Sequence, residues 1–209
     1  MIESATGIIL RTRPLTETSL IVNWLTPDLG RISTVAKGAR RPKSPFAGKL
    51  DLFYLAEFTF TRSLRSELHP LREVRLKSLN TTLRDDMGWL QQAAYLIRLI
   101  EQATETETPL PGMFHLLHDL LEAIPKHPPR SQTVFAFELR LLHELGLAPD
   151  LSEVKSTPGT RQILGALMTQ DWSVIARLKL SDAQTHELKH FLHGFLIFHL
   201  GRIPKGRPV

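Results

Sequence analysis

Apolar and polar positions change rhythm near residue 80: before it they alternate in short runs, and after it they recur every third or fourth position. β-Branched and aromatic residues cluster at 6–13, 19–26, 30–37, 51–61 and 67–77, each run bounded by turn residues, and each is predicted as a strand. The alternation is clearest at 55–61, where Leu55, Glu57, Thr59 and Thr61 take one face and Ala56, Phe58 and Phe60 the other. Pro27-Asp28-Leu29-Gly30 makes a tight turn, with Pro presetting φ and Gly accepting a positive φ, so the second and third strands are predicted to form a hairpin. Five strands are the count of an OB barrel, in which that hairpin and the loops joining strands one to two and four to five commonly receive oligonucleotides. Arg11 and Arg13 are assigned to the first of these loops.

The helical rhythm begins after a polar TTLRDD stretch, whose Asp85 and Asp86 suit the positive end of a helix dipole. Trp89, Leu90, Ala93, Leu96, Ile97 and Ile100 then form an apolar stripe. Further helices are predicted at 112–124, 131–145, 159–169, 171–178 and 182–200, with seven prolines falling between them. Ser181 and Gln184 stand in capping-box positions at the start of the last helix, and Gly201 followed by Pro204 ends it. The expected fold class is α+β in two parts: a five-stranded OB-fold β-barrel over 1–80, followed by an all-α helical domain over 81–209.

Composition adds three constraints. The 209 residues are 42% hydrophobic, enough to build real cores. The net charge of +5 is unevenly spread: residues 1–80 carry 13 Lys and Arg against 7 Asp and Glu, whereas 81–209 carry 13 against 14. An anionic partner is therefore expected on the barrel. With no cysteine, disulfides and thiolate zinc sites are excluded, which fits a reducing compartment. No secretory signal and no apolar run of about 18 residues is present, so a cytoplasmic protein without membrane contact is the expectation.

Lys37, Arg40, Arg41 and Lys43 fall within seven residues of a Gly- and Pro-containing segment that follows a strand, with Arg31 and Lys49 flanking them. Such a loop can follow a phosphate backbone by replacing condensed counterions; the plainer alternative is a solvated basic turn. Trp24, Phe46, Phe53 and Tyr54 are interleaved with these cations. Most are expected in the core, with Trp24 kept as a candidate for stacking on a base. Arg202, Lys205 and Arg207 are candidates for a second DNA or protein contact, against the reading of a frayed basic tail.

His186, His190 and His193 share one face of the last helix and could hold a metal, which makes a metal-dependent hydrolase the one enzyme reading to weigh. Glu187 sits one position off the face a general base would need, and surface or helix-packing histidines are the simpler reading. No GxxxxGK[ST], GxSxG, HExxH or GxGxxG pattern occurs. Neither an enzyme nor a cofactor is expected. A protein-interaction scaffold with a basic barrel remains the third reading.

The run from Arg13 to Phe53 carries Arg13-Pro14, Glu17, Ser19-Leu20, Thr26, Gly30-Arg31, Val35 to Arg40, Ser44, Gly48 and Phe53, and it resembles the N-terminal signature of bacterial RecO proteins. The helical part adds Phe137 to Leu142, Leu145 to Leu151 and the ending His199 to Arg202. The resemblance implies an OB domain, a helical domain, binding of single- and double-stranded DNA, and annealing of complementary strands. It also implies partnership with RecR and with the C-terminal tail of single-strand-binding protein in loading a recombinase filament, in a bacterial, nucleoid-associated setting. Two features depart from the pattern. The four-cysteine zinc module that many RecO proteins carry after the LGLAPDL segment has no cysteines here, and the family's closing Lys-Ser-Arg reads Lys205-Gly206-Arg207.

Overall fold

A computed structural model describes all 209 residues. Its five strands are β1 (Ile2–Pro14), β2 (Leu20–Thr26), β3 (Gly30–Ala36), β4 (Leu55–Thr61) and β5 (Leu68–Ser78). They close a barrel in the order β1-β2-β3-β5-β4, with β4 returning to β1. Every pairing is antiparallel except β3 with β5, which run parallel through Ser33↔Leu68, Thr34↔His69 and Val35↔Pro70. This is the expected OB-type barrel. β1 serves two partners, residues 2–8 pairing with β4 and 8–14 with β2, and a register shift between Ile9 and Arg11 bends it from one to the other.

The barrel closes on the inward residues of the alternating strands. Val22, Trp24, Ile32, Phe58, Phe60, Leu71 and Val74 meet in one cluster, joined by Phe46 from the long β3–β4 connection. The Trp24 ring stacks on Phe58 at 4.0 Å between centroids, and its Nε1–H donates to Thr34 Oγ1 at 2.8 Å, so the indole is buried with its one donor satisfied. The fourth strand begins at Leu55 rather than at residue 51. Phe53 instead turns the chain with φ +69° and drops its ring into the core.

Residues 1–81 and 104–118 form one compact unit, and residues 82–103 and 119–209 form another. Within the first, the segment from Thr104 returns along the start of β3. Arg31 Nε donates to Thr104 Oγ1 at 2.8 Å, and the Glu107 N–H donates to the Arg31 carbonyl at 2.8 Å. Gly30 is doubly required here: its φ is +65°, and a Cβ there would lie 2.0 Å from the Thr108 carbonyl oxygen.

The helices are α1 (Met87–Ala103), α2 (Pro111–Ala123), α3 (Ser131–Glu144), α4 (Pro158–Thr169), α5 (Trp172–Ile175) and α6 (Asp182–Leu200). Asp86 caps α1, its Oδ1 accepting from the Gly88 and Trp89 N–H groups. The Ser181–Gln184 capping box of α6 is present, and Gly201 ends the helix at φ +76°. α5 is shorter than the helix predicted over 171–178. α3 is the centre of the second unit: Val134 to Leu139 are all buried, and Phe135, Ala136 and Leu139 pack against Leu164 and Leu167 of α4, Ile175 of α5, and Leu188 and Leu192 of α6.

Candidate nucleic-acid interface

The basic segment after β3 is a chain of turns, not a helix. The Arg41 N–H donates to the Gly38 carbonyl at 3.0 Å, Ser44 to Arg41 at 3.1 Å, Ala47 to Ser44 at 3.1 Å and Lys49 to Phe46 at 3.0 Å. Gly38 permits the first of these turns with φ +70°. The buried Phe46 ring pins the segment to the barrel core, while Lys37, Arg40, Arg41 and Lys43 remain exposed. Arg40 ties the segment to the β1–β2 loop, its N–H donating to the Thr18 carbonyl at 3.0 Å and its Nη1 to the Thr16 carbonyl at 3.3 Å.

Strand register brings Arg13 to the same end of the barrel, because Pro14 pairs with Leu20 and Leu20 with Ala36. Arg11 and Arg13 are on β1 itself, not in the loop to which the sequence assigned them; that loop is residues 15–19. Both side chains are exposed. One end of the barrel thus carries Arg13, Lys37, Arg40, Arg41 and Lys43, and none of the five makes an ion pair. Lys49, half-buried, closes the same run of turns.

Other candidates separate from this group. Trp24 is fully buried, so it is a core residue and not a platform for a base. Phe46 and Phe53 are buried as well, and the alternate hairpin positions Ile21, Leu25 and Val35 are also inaccessible. The β2–β3 hairpin therefore offers no exposed aromatic surface, in contrast to the usual OB ligand face. Arg31 sits at the opposite end of β3 and is used in holding Thr104. Arg202 and Lys205 are exposed, but Arg207 is folded into the helical unit: its Nε donates to Glu138 Oε1 at 2.7 Å and its Nη2 to Oε2 at 2.5 Å. The frayed-tail reading and the assignment of Arg207 to DNA both give way to that buried pair.

His186, His190 and His193 are exposed, and no three His, Asp or Glu side chains converge in a metal-binding geometry. Glu187, on the same helix, accepts from the Thr157 N–H at 2.8 Å and from the Thr157 and Thr160 hydroxyls. These hydrogen bonds hold its carboxyl below the usual range, which suits a helix-to-loop tie and not a general base.

A second polar cluster, with no local signature in the sequence, lies at the end of the barrel away from the basic loop. Arg62 grips Glu3 through Nε at 3.0 Å and Nη2 at 2.9 Å, and reaches Glu107 at 3.2 Å; the buried His69 Nε2 lies 2.9 Å from Glu107. The Arg62 guanidinium holds the Glu3 carboxyl below its ordinary value. No local signal joins positions 3, 62, 69 and 107; strand pairing and the returning 104–108 segment bring them together.

Two family models match the chain: Recombination protein O N terminal over residues 1–80, and Recombination protein O C terminal over residues 84–154. The chain belongs to the Recombination protein O family. Its relatives include the DNA repair protein RecO of Exiguobacterium sibiricum, 32% identical over 73% of this chain and 60% of that protein. That of Alkaliphilus metalliredigens is 26% identical over 97% of this chain and 96% of the relative, and that of Bacillus subtilis is 28% identical over 77% and 63%. The chain thus spans about 60% of the length of several RecO relatives it matches. The N-terminal RecO model ends two residues beyond β5, and the C-terminal one stops before α4.

Proposed function

We propose that this chain is a DNA repair and recombination mediator that binds single- and double-stranded DNA, anneals complementary strands and catalyses no bond making. Residues 1–80 act as its nucleic-acid-binding domain and 81–209 as its helical partner domain. The observation that carries the reading is the group of exposed, ion-pair-free cations at one end of the barrel, Arg13, Lys37, Arg40, Arg41 and Lys43. Cations without internal partners release condensed counterions when they meet phosphates, and that release drives binding.

Burial of Trp24, Phe46 and Phe53 supports a backbone-directed mode. Without exposed rings to stack on, affinity comes from phosphates, sequence preference is slight, and base edges stay free to pair. Two strands held on one cationic surface repel each other less, and annealing follows from proximity. Membership of the RecO family supports partnership with RecR and with the C-terminal tail of single-strand-binding protein, the helical domain receiving the tail while recombinase is loaded. No helix is long and apolar enough to cross a membrane.

Titration against poly-dT over a range of salt tests the reading. Four to six neutralised phosphates give a log–log affinity slope of roughly −3 to −4, at about −0.7 per phosphate. A slope near zero overturns DNA binding and leaves a protein-interaction scaffold.

A further inference from the structure

Glu138 lies in the middle of α3 with no exposed surface. A lone ionised carboxylate cannot be buried there without several kcal/mol of penalty, so its partners define what the site accepts. Tyr95 of α1 donates its hydroxyl to Oε1 at 2.6 Å. The other partner comes from the chain's last three residues: Arg207 forks onto both carboxylate oxygens, its Nη1 reaches the Lys189 carbonyl of α6 at 3.3 Å, and its guanidinium carbon lies 5.7 Å from the Phe135 ring centroid. The floor of the site is a carboxylate, one wall an aromatic ring and the rim a carbonyl. Two oxygens of one carboxylate and a neighbouring carbonyl match the donors of a guanidinium, whose rigid fork an ammonium cannot reproduce.

The segment that delivers Arg207 has no regular secondary structure from Gly201 onward. Apart from Arg207, it is held by the Gly201 N–H to the Ile197 carbonyl at 2.9 Å, by packing of Val209 on the helical core, and by single side-chain bonds to its carbonyls: Gln102 to Arg202 at 2.5 Å, Arg98 to Lys205 at 3.1 Å and Lys189 to Val209 at 2.8 Å. Gly206, with φ +78°, supplies the reversal that points Arg207 inward. The receptor is built from helices α1, α3 and α6, whereas its occupant is carried on a strap.

We propose that Tyr95, Phe135, Glu138 and the Lys189 carbonyl form a guanidinium receptor, filled in cis by Arg207, so that residues 201–209 act as a latch that can leave and be replaced by an arginine presented from outside. The bound side chain also fixes the exposed Arg202 and Lys205 at a set position on the helical unit.

The test uses Arg207→Ala in the full chain, with four probes: ethylguanidinium, ethylammonium, the peptide of residues 201–209, and the same peptide carrying Arg207→Lys. The variant is expected to melt about 10 °C below the parent, as breaking a buried pair in a chain of this size should do. Ethylguanidinium and the unsubstituted peptide should raise its melting temperature by several degrees and shift the parent less, because there Arg207 competes for the site, while ethylammonium and the substituted peptide should shift neither protein. Equal effects of the two small cations, or equal effects on variant and parent, overturn the receptor. If the variant does not fold, the parent still decides: one arginine Nε–H should exchange with solvent at least tenfold more slowly than that of an exposed arginine and show contacts to the Tyr95 ring. Absence of such a protected proton overturns the proposal.

Discussion

The β3–β4 loop and the C-terminal segment look alike as text, each a short run of Lys and Arg around Gly and Pro, and the structure makes them opposites. In the loop, Arg41 and Lys43 face solvent with no partner, and the anchoring is done by the buried Phe46 ring and by the bonds of Arg40 to the β1–β2 loop. In the tail the anchoring is done by a cation, Arg207, which is taken out of reach of any polyanion. A basic residue stays open to a polyanion where it is not itself the buried anchor of its segment. Counting charges cannot detect that; finding the anchor can.

The largest expected effect is at Glu138. Replacing it with Ala leaves the buried Tyr95 hydroxyl without its acceptor and the Arg207 segment without its anchor, and should cost about 3–5 kcal/mol in thermal or urea unfolding, whereas Glu138→Met combined with Arg207→Met should recover part of the loss, because a well-packed apolar pair removes two desolvated charges together. In the loop, Arg40→Ala, Arg41→Ala and Lys43→Ala together should lower poly-dT affinity at least about tenfold and flatten the salt slope by about 2, with stability changed by no more than about 0.5 kcal/mol per site. Unchanged affinity would defeat the loop assignment.

Arg31→Ala sharpens the contrast from a third position. It removes the hold on Thr104 and should destabilise the chain by about 1–2 kcal/mol while leaving the salt slope intact. Loss of DNA binding with unchanged stability would return Arg31 to the DNA-contacting group. The smallest effect concerns pH. The Glu3 carboxyl, lowered by Arg62, contributes stability that is fully present above the ordinary carboxylate range and is lost as pH falls through its depressed value. Glu3→Gln should therefore flatten the acid limb of the stability curve, as followed by unfolding between about pH 5 and pH 2.

Much of the fold was legible because it is written in local periodicity. The alternation at 55–61 marks β4, Ser181 and Gln184 mark the start of α6, and Pro27 to Gly30 mark the β2–β3 turn. The basic loop was legible for the same reason, its four cations lying within one short segment. Trp24 was misplaced because alternation shows that a residue has a face but not which face is inward; only the stack on Phe58 and the bond to Thr34 settle it. Arg11 and Arg13 were placed in a loop because nothing local signals that β1 runs on through its bend to pair with β2.

The sequence alone determined the kind of each element, the concentration of positive charge before residue 80 and the resemblance to RecO proteins, since all three depend on residues near one another in the chain. Tertiary structure decided which cations stay free, which arginine is buried and what stands beside Glu3, Glu107 and Glu138. Coulomb interactions and desolvation depend on distance in space and on exposure to water, and neither quantity exists until the chain has folded.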